Sequence, residues 1–246
     1  MRLFLFTFLL LKIFSPAYGN TIYYLTKIPN LQVYDLTASN GIKYLKAEKS
    51  FKVGIVKNNV QCDKPSENNI KNKFKLIRRN LEKYEKDFLE KINLKYVVLC
   101  ENLKVADIKT AGVPNHKVKT LIIDIKSDPK HFERSIHHEL FHMADDSYDN
   151  LFSYDKWEKF NILDFQYAEC STCSNRSNLS LIQDTNGFIT EYSMSTASED
   201  MAEVFSFMMT DMDNLSIISR DDSILNNKIN FIISEIQKID NNFKFK

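Results

Sequence analysis

The chain has 246 residues and a nearly even balance of charge, with 33 lysines and arginines against 32 aspartates and glutamates. This length suits one domain, with room for two lobes. Because nucleic-acid-binding proteins carry a concentrated basic excess, a net charge of +1 argues against a nucleic-acid partner.

The N-terminal residues 1–19 have the pattern of a secretory signal peptide. Arg2 supplies the positive start, residues 3–14 are mostly apolar, and Ala17 and Gly19 are small residues at a cleavage site. We predict cleavage after Gly19 and export, so that the mature protein is secreted or periplasmic. The apolar stretch is short for a membrane span, and no later apolar run is long enough to be one. The alternative interpretation of residues 1–19 is an uncleaved N-terminal anchor.

The first half of the mature chain mixes strand and helix patterns. Residues 50–56 are strand-like. Apolar residues then recur at steps of three and four between residues 70 and 92, which predicts a long amphipathic helix with Ser66 as its N-cap. This helix is expected to pack against a sheet. Its apolar residues are Ile70, Phe74, Ile77, Leu81, Tyr84, Phe88 and Ile92.

Two apolar runs, residues 96–99 and 120–125, predict buried strands. We interpret the second as an edge strand that faces a cleft, where an extended peptide could add as a further strand. Its apolar content leaves open the alternative of an internal strand. Residues 20–126 are thus predicted to form an N-terminal α/β lobe.

The second half of the chain is predicted to be mainly helical. The sequence Ser127-Asp128-Pro129 has the residues of a helix start, and an apolar face follows it. Residues 127–246 would form a helical lobe, which makes the fold α+β, with a small mixed sheet, a long backing helix and a C-terminal helical lobe. The further predicted elements are a short helix around Trp157, an irregular stretch from Tyr167 to Ser195, a helix from Ser198 and a last helix over residues 223–239.

The chain has four cysteines, Cys62, Cys100, Cys170 and Cys173. In an exported protein an even number predicts disulfides, with three possible pairings. We prefer Cys62 with Cys100 and Cys170 with Cys173, because each pair then lies within one half of the chain. A structural zinc site is disfavoured, since no histidine lies near the cysteines.

The sequence His138-Glu139-Leu140-Phe141-His142 is a His-Glu-x-x-His motif. On a helix its two histidines lie on one face, one turn apart, where they can bind one zinc ion. Zinc lowers the pKa of a bound water, and Glu139 can accept the proton as general base. The alternative is a pair of surface histidines on an ordinary helix. We predict one Zn²⁺ per chain.

A catalytic zinc needs a third protein ligand. Glu199 and Glu203 are four residues apart on a second predicted helix, so one could bind the metal while the other orients a ligand histidine. Tyr148 stands six residues after His142, which disfavours a three-histidine site. Asp145, one turn beyond His142, is a further candidate for supporting a ligand.

The segment from His138 to Asp146 resembles the zinc helix of the anthrax lethal factor catalytic domain. Residues 190–192 and 199–205 are similar to the second metal segment of that family, which includes the secreted Pro-Pro endopeptidases. The resemblance implies a zincin-like fold, Glu199 as the third zinc ligand, and Tyr192, seven residues earlier, as a catalytic phenol. Phe141, where relatives often have glycine, and the Cys170–Cys173 pair depart from the family pattern.

Tyr192 also has a chemical rationale of its own. A neutral phenol can donate a hydrogen bond to the oxyanion that develops on a scissile carbonyl. Its alternative role is that of a tyrosine filling an apolar gap.

These features together predict a secreted zinc-dependent endopeptidase acting on a protein or peptide. One alternative is a zinc hydrolase of a non-peptide amide, which would use the same chemistry. The other is a secreted, zinc-stabilised binding or toxin-like protein. Glu139 argues against the latter, because a structural zinc site needs no base.

Overall fold

A computed structural model of the chain describes residues 31–54, 59–182 and 186–245. The predicted signal peptide lies outside these ranges. The described part contains one mixed sheet and a set of helices. Its strands are β1 (Leu31–Asp35), β2 (Lys43–Ala47), β3 (Phe51–Val53), β4 (Val60–Asp63), β5 (Tyr96–Val105), β6 (Ile108–Lys109), β7 (Gly112–Asn115) and β8 (Thr120–Asp124).

The long strand β5 joins two parts of the sheet. Its first half lies parallel between β2 and β8, with β1 and β7 as antiparallel outer strands. Its second half pairs antiparallel with β4 and β6, and β3 extends β4. The predicted mixed sheet is confirmed. It is larger than the small sheet predicted, because exposed strands such as β6 have no apolar run that would reveal them.

Both faces of β5 are buried. Val97 and Leu99 belong to the larger core beneath the helices, whereas Val98 and Cys100 belong to a smaller core on the opposite face. Successive strand residues point to opposite sides. A strand that is covered on both faces therefore needs the unbroken apolar run that made β5 predictable.

The four cysteines pair as predicted. The Cys62–Cys100 disulfide links β4 to β5 within the smaller core. The Cys170–Cys173 disulfide closes a short loop that contains a 3-10 turn over Ser171–Cys173. No cysteine in the described ranges is free.

The prediction that residues 120–125 form an edge strand is wrong. β8 lies between β5 and β7 and pairs with both. In the described part of the chain β7 pairs only on its β8 side, so β7 is the edge strand. Its sequence, Gly112-Val113-Pro114-Asn115, lacks an apolar run. The proline, which has no N–H to donate, suits an edge position.

The described helices lie mainly in the second half of the chain. The central ones are α3, which carries the His-Glu-x-x-His motif, and α5, which carries both candidate glutamates. The helices are α1 (Glu67–Leu81), α2 (Lys86–Lys91), α3 (Phe132–Ser147), α4 (Tyr154–Glu158), α5 (Ala197–Thr210), α6 (Met212–Ile218) and α7 (Ser223–Ile239).

The long backing helix predicted over residues 70–92 is in fact two helices, α1 and α2. The side chain of Ser66 caps α1, as predicted, and the helix ends at Leu81. Tyr84 lies in the turn that follows, and its N–H bonds to the carbonyl of Leu81. The apolar residues before and after the turn are all buried or half-buried. Their spacing therefore continues across the break and could not reveal it.

Helix α3 begins at Phe132, later than the predicted start at residues 127–129. Those residues form a turn, in which the carboxylate of Asp128 accepts a hydrogen bond from the N–H of Lys130. The apolar face predicted for this helix is confirmed. Its buried residues include Phe132, Ile136, Leu140 and Met143.

The later helices follow the predicted order. α4 contains Trp157, and α7 spans the predicted residues 223–239. α5 begins one residue before the predicted Ser198, because Thr196 acts as the N-cap.

Helix α3 lies at the centre of the packing. It contacts β7 and β8 on one side and α5 on the other, and α5 packs against α7. One core runs from α1 and β5 to α7. The α+β class is confirmed, while the division into lobes at residues 20–126 and 127–246 stays a prediction. No helix in the described ranges combines the length and apolar character needed to span a bilayer.

A buried ion pair joins α5 to α7. Lys228 Nζ lies 2.7 Å from Asp200 Oδ2, and both side chains are fully shielded from solvent. Trp157 Nε1 and the Tyr167 hydroxyl also donate to Asp200, and Lys228 donates to the carbonyl of Gly187. A buried charge is tolerated when it is paired and hydrogen-bonded. The network therefore fixes α4, α5 and α7 relative to one another.

We expect Lys228→Met to destabilise the fold, because the buried Asp200 carboxylate would lose its partner. The expected loss in the free energy of unfolding is roughly 3–5 kcal/mol, measured by urea denaturation. Gln237→Met, at an exposed position on the same helix, is the matched control and should cost less than about 0.5 kcal/mol. Combining Lys228→Met with Asp200→Asn should recover much of the loss, and a double variant as unstable as Lys228→Met would contradict this account.

Candidate metal centre

Two histidines of α3 and one glutamate of α5 converge on a common point. His138 Nε2 lies 2.9 Å from Glu199 Oε2 and 3.2 Å from His142 Nε2. His142 Nε2 lies 3.4 Å from the same glutamate oxygen. The two histidines share a face because they are four residues apart on the helix. Glu199 reaches them from the first turn of α5, where Thr196 caps the helix.

The size and chemistry of this donor set fit a zinc ion. Two imidazole nitrogens and a carboxylate oxygen are ligands that Zn²⁺ favours. In a tetrahedral site with bonds of about 2.0–2.2 Å, neighbouring ligand atoms lie roughly 3.3–3.6 Å apart. The observed separations of 2.9, 3.2 and 3.4 Å are close to these values. Three protein ligands would leave a fourth position open.

The electrostatics of the cluster also favour a bound cation. Burial disfavours a charged His138, but hydrogen bonds to Glu199 and Glu203 outweigh it and raise the pKa of His138 to about 10. Burial likewise opposes ionisation of Glu199, yet His142 and His138 hold the pKa of this carboxyl well below its usual value. The carboxylates thus stabilise positive charge at the point where a metal would lie.

Glu203 supports His138 from behind. Its Oε1 lies 3.0 Å from His138 Nδ1, the ring nitrogen that faces away from the cluster. Its Oε2 accepts a hydrogen bond of 2.8 Å from the hydroxyl of Thr190, and Arg134 Nη2 lies 3.6 Å away. A carboxylate that accepts the Nδ1–H leaves Nε2 free to bind metal and fixes the ring orientation.

Asp145 reaches His142 through Ser198. The Ser198 hydroxyl lies 3.3 Å from His142 Nδ1 and donates to Asp145 Oδ2 over 3.1 Å. Tyr154 donates to the same carboxylate oxygen. Asp145 therefore has no direct contact with the metal cluster, and the intervening serine was not predicted from the sequence.

Glu139 lies beside the cluster and against the edge strand β7. Burial raises the pKa of its carboxyl group, while His138 and His142 act in the opposite direction. The backbone N–H of Gly112 also lowers the pKa of this carboxyl group, as the last of the causes after the charges. A Cβ atom at Gly112 would lie 2.6 Å from Glu139 Cγ and 2.9 Å from Cδ, so the present position of Glu139 requires glycine there.

Tyr192 lies near His138, in a 3-10 turn over Tyr192–Met194 just before α5. The two rings are 5.9 Å apart between centroids. Burial, together with the nearby carboxylates of Glu199 and Glu139, raises the pKa of Tyr192 far above its usual value. The phenol therefore keeps its proton and can act as a hydrogen-bond donor.

The structure brings most of the sequence-predicted site residues together. Of the two candidate glutamates, Glu199 faces both histidines and Glu203 faces only the outer nitrogen of His138. His137, which points to the other side of α3, is fully buried and bonded to Tyr84 and Asn80.

Three neighbours of the cluster were missed by sequence reasoning, namely Gly112, Arg134 and Ser198. Arg134 could have been noticed, because it lies four residues before His138 and so shares its helix face. Ser198 and Gly112 carried no comparable signal. Their contacts arise only where α5 and β7 pack against α3.

Comparison with known proteins supports a metal centre of this kind. Residues 108–234 match the model of a family described as "Putative zinc-binding metallo-peptidase", a range that contains every candidate site residue. A crystal structure of "a putative zinc-binding metallo-peptidase" from Bacteroides caccae ATCC 43185 is similar in fold, with a TM-score of 0.51 and 16% identity over 82% of each chain. No curated protein matches the chain. The closer kinship with the lethal factor group stays a prediction.

The three carboxylates around the histidines should differ in their effect on metal affinity. Glu199→Gln should abolish most zinc binding, because it removes a charged candidate ligand. Glu203→Gln should weaken binding by about 10–100-fold, because it affects only the orientation and basicity of His138. Asp145→Asn should have the smallest effect, since its contact runs through Ser198.

Competition titration with a chromogenic zinc chelator would measure this order. Glu191→Gln, close in sequence to Tyr192 but with no contact to the histidines in the described part of the chain, provides a control that should leave zinc affinity unchanged. If Glu203→Gln lost more affinity than Glu199→Gln, our choice of ligand would be wrong.

Proposed function

This chain belongs to the family described as putative zinc-binding metallo-peptidases, and from that premise we propose that it is a secreted zinc-dependent endopeptidase with a zincin-like fold. We propose that His138, His142 and Glu199 hold one Zn²⁺ per chain. The observation that carries the proposal is the position of Glu139, which lies half-buried beside the metal cluster without belonging to it. A purely structural zinc site has no use for such a carboxylate.

When bound, zinc would supply a Lewis acid that polarises the scissile carbonyl and makes water more acidic. The protein residues would handle the protons. The Glu139 carboxylate would accept the proton of the attacking water and deliver it to the leaving amine. Burial raises the pKa of Glu139, so this residue takes up a proton more readily than an exposed glutamate would.

Tyr192 would stabilise the charge that develops on the substrate. Its phenol keeps its proton, because burial and the nearby carboxylates of Glu199 and Glu139 raise its pKa. Such a donor is most effective when it is fixed in advance at the position of the developing oxyanion. The 3-10 turn and the backbone hydrogen bond from Tyr192 to the carbonyl of Asn178 hold the residue in place.

The edge strand β7 would hold the substrate backbone. It replaces β8 in this role, since β8 is paired on both sides. An extended peptide could pair with the free side of β7 and so lie next to Glu139, which contacts Gly112 at the start of the strand. Because Pro114 donates no N–H, the remaining backbone groups of this short strand would carry the contacts.

The two disulfides support the exported location that we propose, because such bonds persist mainly in oxidising compartments. A zinc hydrolase of a non-peptide amide would use the same groups at the metal. The free sheet edge beside Glu139 favours a peptide, whose backbone can complete the sheet.

The proposed function predicts chelator-sensitive cleavage of peptides by the mature protein. Glu139→Gln should retain one zinc per chain in elemental analysis, yet lose at least about 10²–10⁴-fold in kcat/KM, because the general base is removed. Profiling on a diverse peptide library, with and without a chelator and after zinc is restored, would measure this. Full activity in Glu139→Gln, or no cleavage by the zinc-loaded protein, would contradict the proposal.

A second prediction follows from the contact between Gly112 and Glu139. Gly112→Ala should displace the Glu139 side chain, because the added methyl group would overlap it. We expect kcat to fall by about 10²-fold, because a general base that is displaced by about 1 Å works less well. The zinc content should not change. Wild-type activity in Gly112→Ala would show that Glu139 need not occupy this position.

A further inference from the structure

A small cavity opens beside Glu139, at the Gly112 end of the edge strand. Its volume is about 220 Å³, below the roughly 300–1,000 Å³ of sites for whole small ligands. It therefore suits one side chain of a bound peptide. Its wall includes Lys109, Arg134, Leu179 and Tyr192.

Arg134 is held rigidly in the wall of this cavity. Its guanidinium lies 4.3 Å over the ring of Phe207, and Nη2 donates to the carbonyl of Leu179. The side chain is only 12% exposed. A planar guanidinium that is fixed in this way presents its remaining N–H donors with little loss of conformational entropy.

The contacts of Arg134 within the protein leave N–H donors of its guanidinium available. The closest carboxylate, Glu203, lies 3.6 Å away, beyond hydrogen-bond distance. Glu203 is already bonded to His138 and Thr190. Among the described residues, the polar contacts of the guanidinium are this ion pair and the bond to Leu179, which leaves several of its five N–H donors for a ligand.

The charges that line the cavity balance in number, so an anion would be held by direct contact with its cations and not by a net positive charge. Two cations, Arg134 and Lys109, line it together with two carboxylates, Glu139 and Glu203. Glu203 is committed to His138, and Glu139 faces the metal cluster. Lys109 is exposed at the mouth, in β6, just before the edge strand.

We infer that this cavity binds a carboxylate of the substrate residue next to the scissile bond, with Arg134 as the specificity-determining residue. The inference rests on the proposed peptidase function. The carboxylate can belong to an aspartate or glutamate side chain, or to the free C-terminus of a peptide. Arginine binds both through paired, charge-assisted hydrogen bonds.

Matched peptides test this inference. In the first series, each position that flanks the scissile bond of a cleavable peptide carries either aspartate or glutamate, or the isosteric asparagine or glutamine. All peptides of this series have an amidated C-terminus. A second series would compare free and amidated C-termini one residue after that bond. We expect the carboxylate member of one pair to have a roughly 10- to 100-fold higher kcat/KM. The series that shows this ratio identifies the source of the carboxylate.

Variants of the residues that line the cavity test whether those residues cause the preference for a carboxylate. Arg134→Gln should bring the ratio close to one, and Arg134→Lys should restore part of it. Lys109→Glu, at an exposed position that the fold does not need, should lower the ratio several-fold. Arg79→Gln, which removes an exposed arginine paired with Glu133 outside the cavity, is the control and should keep the wild-type ratio.

The outcomes separate this inference from the proposed function. Equal cleavage of acid and amide peptides would overturn the inference alone. So would an Arg134→Gln protein with normal zinc content and an unchanged ratio. Should Arg134→Gln lose zinc or fail to fold, an unchanged ratio in Lys109→Glu would overturn the inference. Failure of the zinc-loaded protein to cleave any peptide would overturn both.

Discussion

The burial of several ionisable side chains between α3 and α5 is the constraint on which this structure depends. His138 is buried on α3, and Glu139 and His142 are half-buried on the same helix. Unpaired charges are costly in such a setting. Glu199 and Glu203 face the two histidines from α5 and compensate the cost of positive charge on them. The two helices must therefore meet at one register, because a shift of either would leave charges without partners.

The residues behind the cluster extend this constraint to the rest of the second half of the chain. Asp200 follows Glu199 in α5 but points to the opposite side, where the buried Lys228 of α7 neutralises it. Thus α5 uses successive acidic residues to bind to α3 on one side and to α7 on the other. On the side that faces α3, Ser198 contacts the outer nitrogen of His142 and donates a hydrogen bond to Asp145.

The sheet contributes a strand whose outer edge pairs with no other described strand, and a close contact between that strand and the Glu139 side chain. β8 is covered on both sides, which leaves the short strand β7 next to α3. Gly112 lets the Glu139 side chain lie directly against the backbone of this strand. Glu139, a sheet edge and the cavity containing Arg134 consequently lie side by side.

The sequence by itself determined what depends on spacing within one segment. The pairing of His138 with His142 follows from the helical repeat, as do the span of α7 and the cap at Ser66. These features hold because backbone geometry over one or two turns is the same in any fold. The break between α1 and α2 escaped this reasoning, since the apolar spacing continues through the turn.

Only the tertiary structure decided which segments meet. It made β7 rather than β8 the edge strand, directed Glu199 and Glu203 to different atoms of His138, and brought Gly112 against Glu139. The two glutamates have equivalent positions in the helical repeat, so their local patterns are alike. Their different contacts arise from the angle and register at which α5 crosses α3, and these depend on packing among residues that are far apart in the chain.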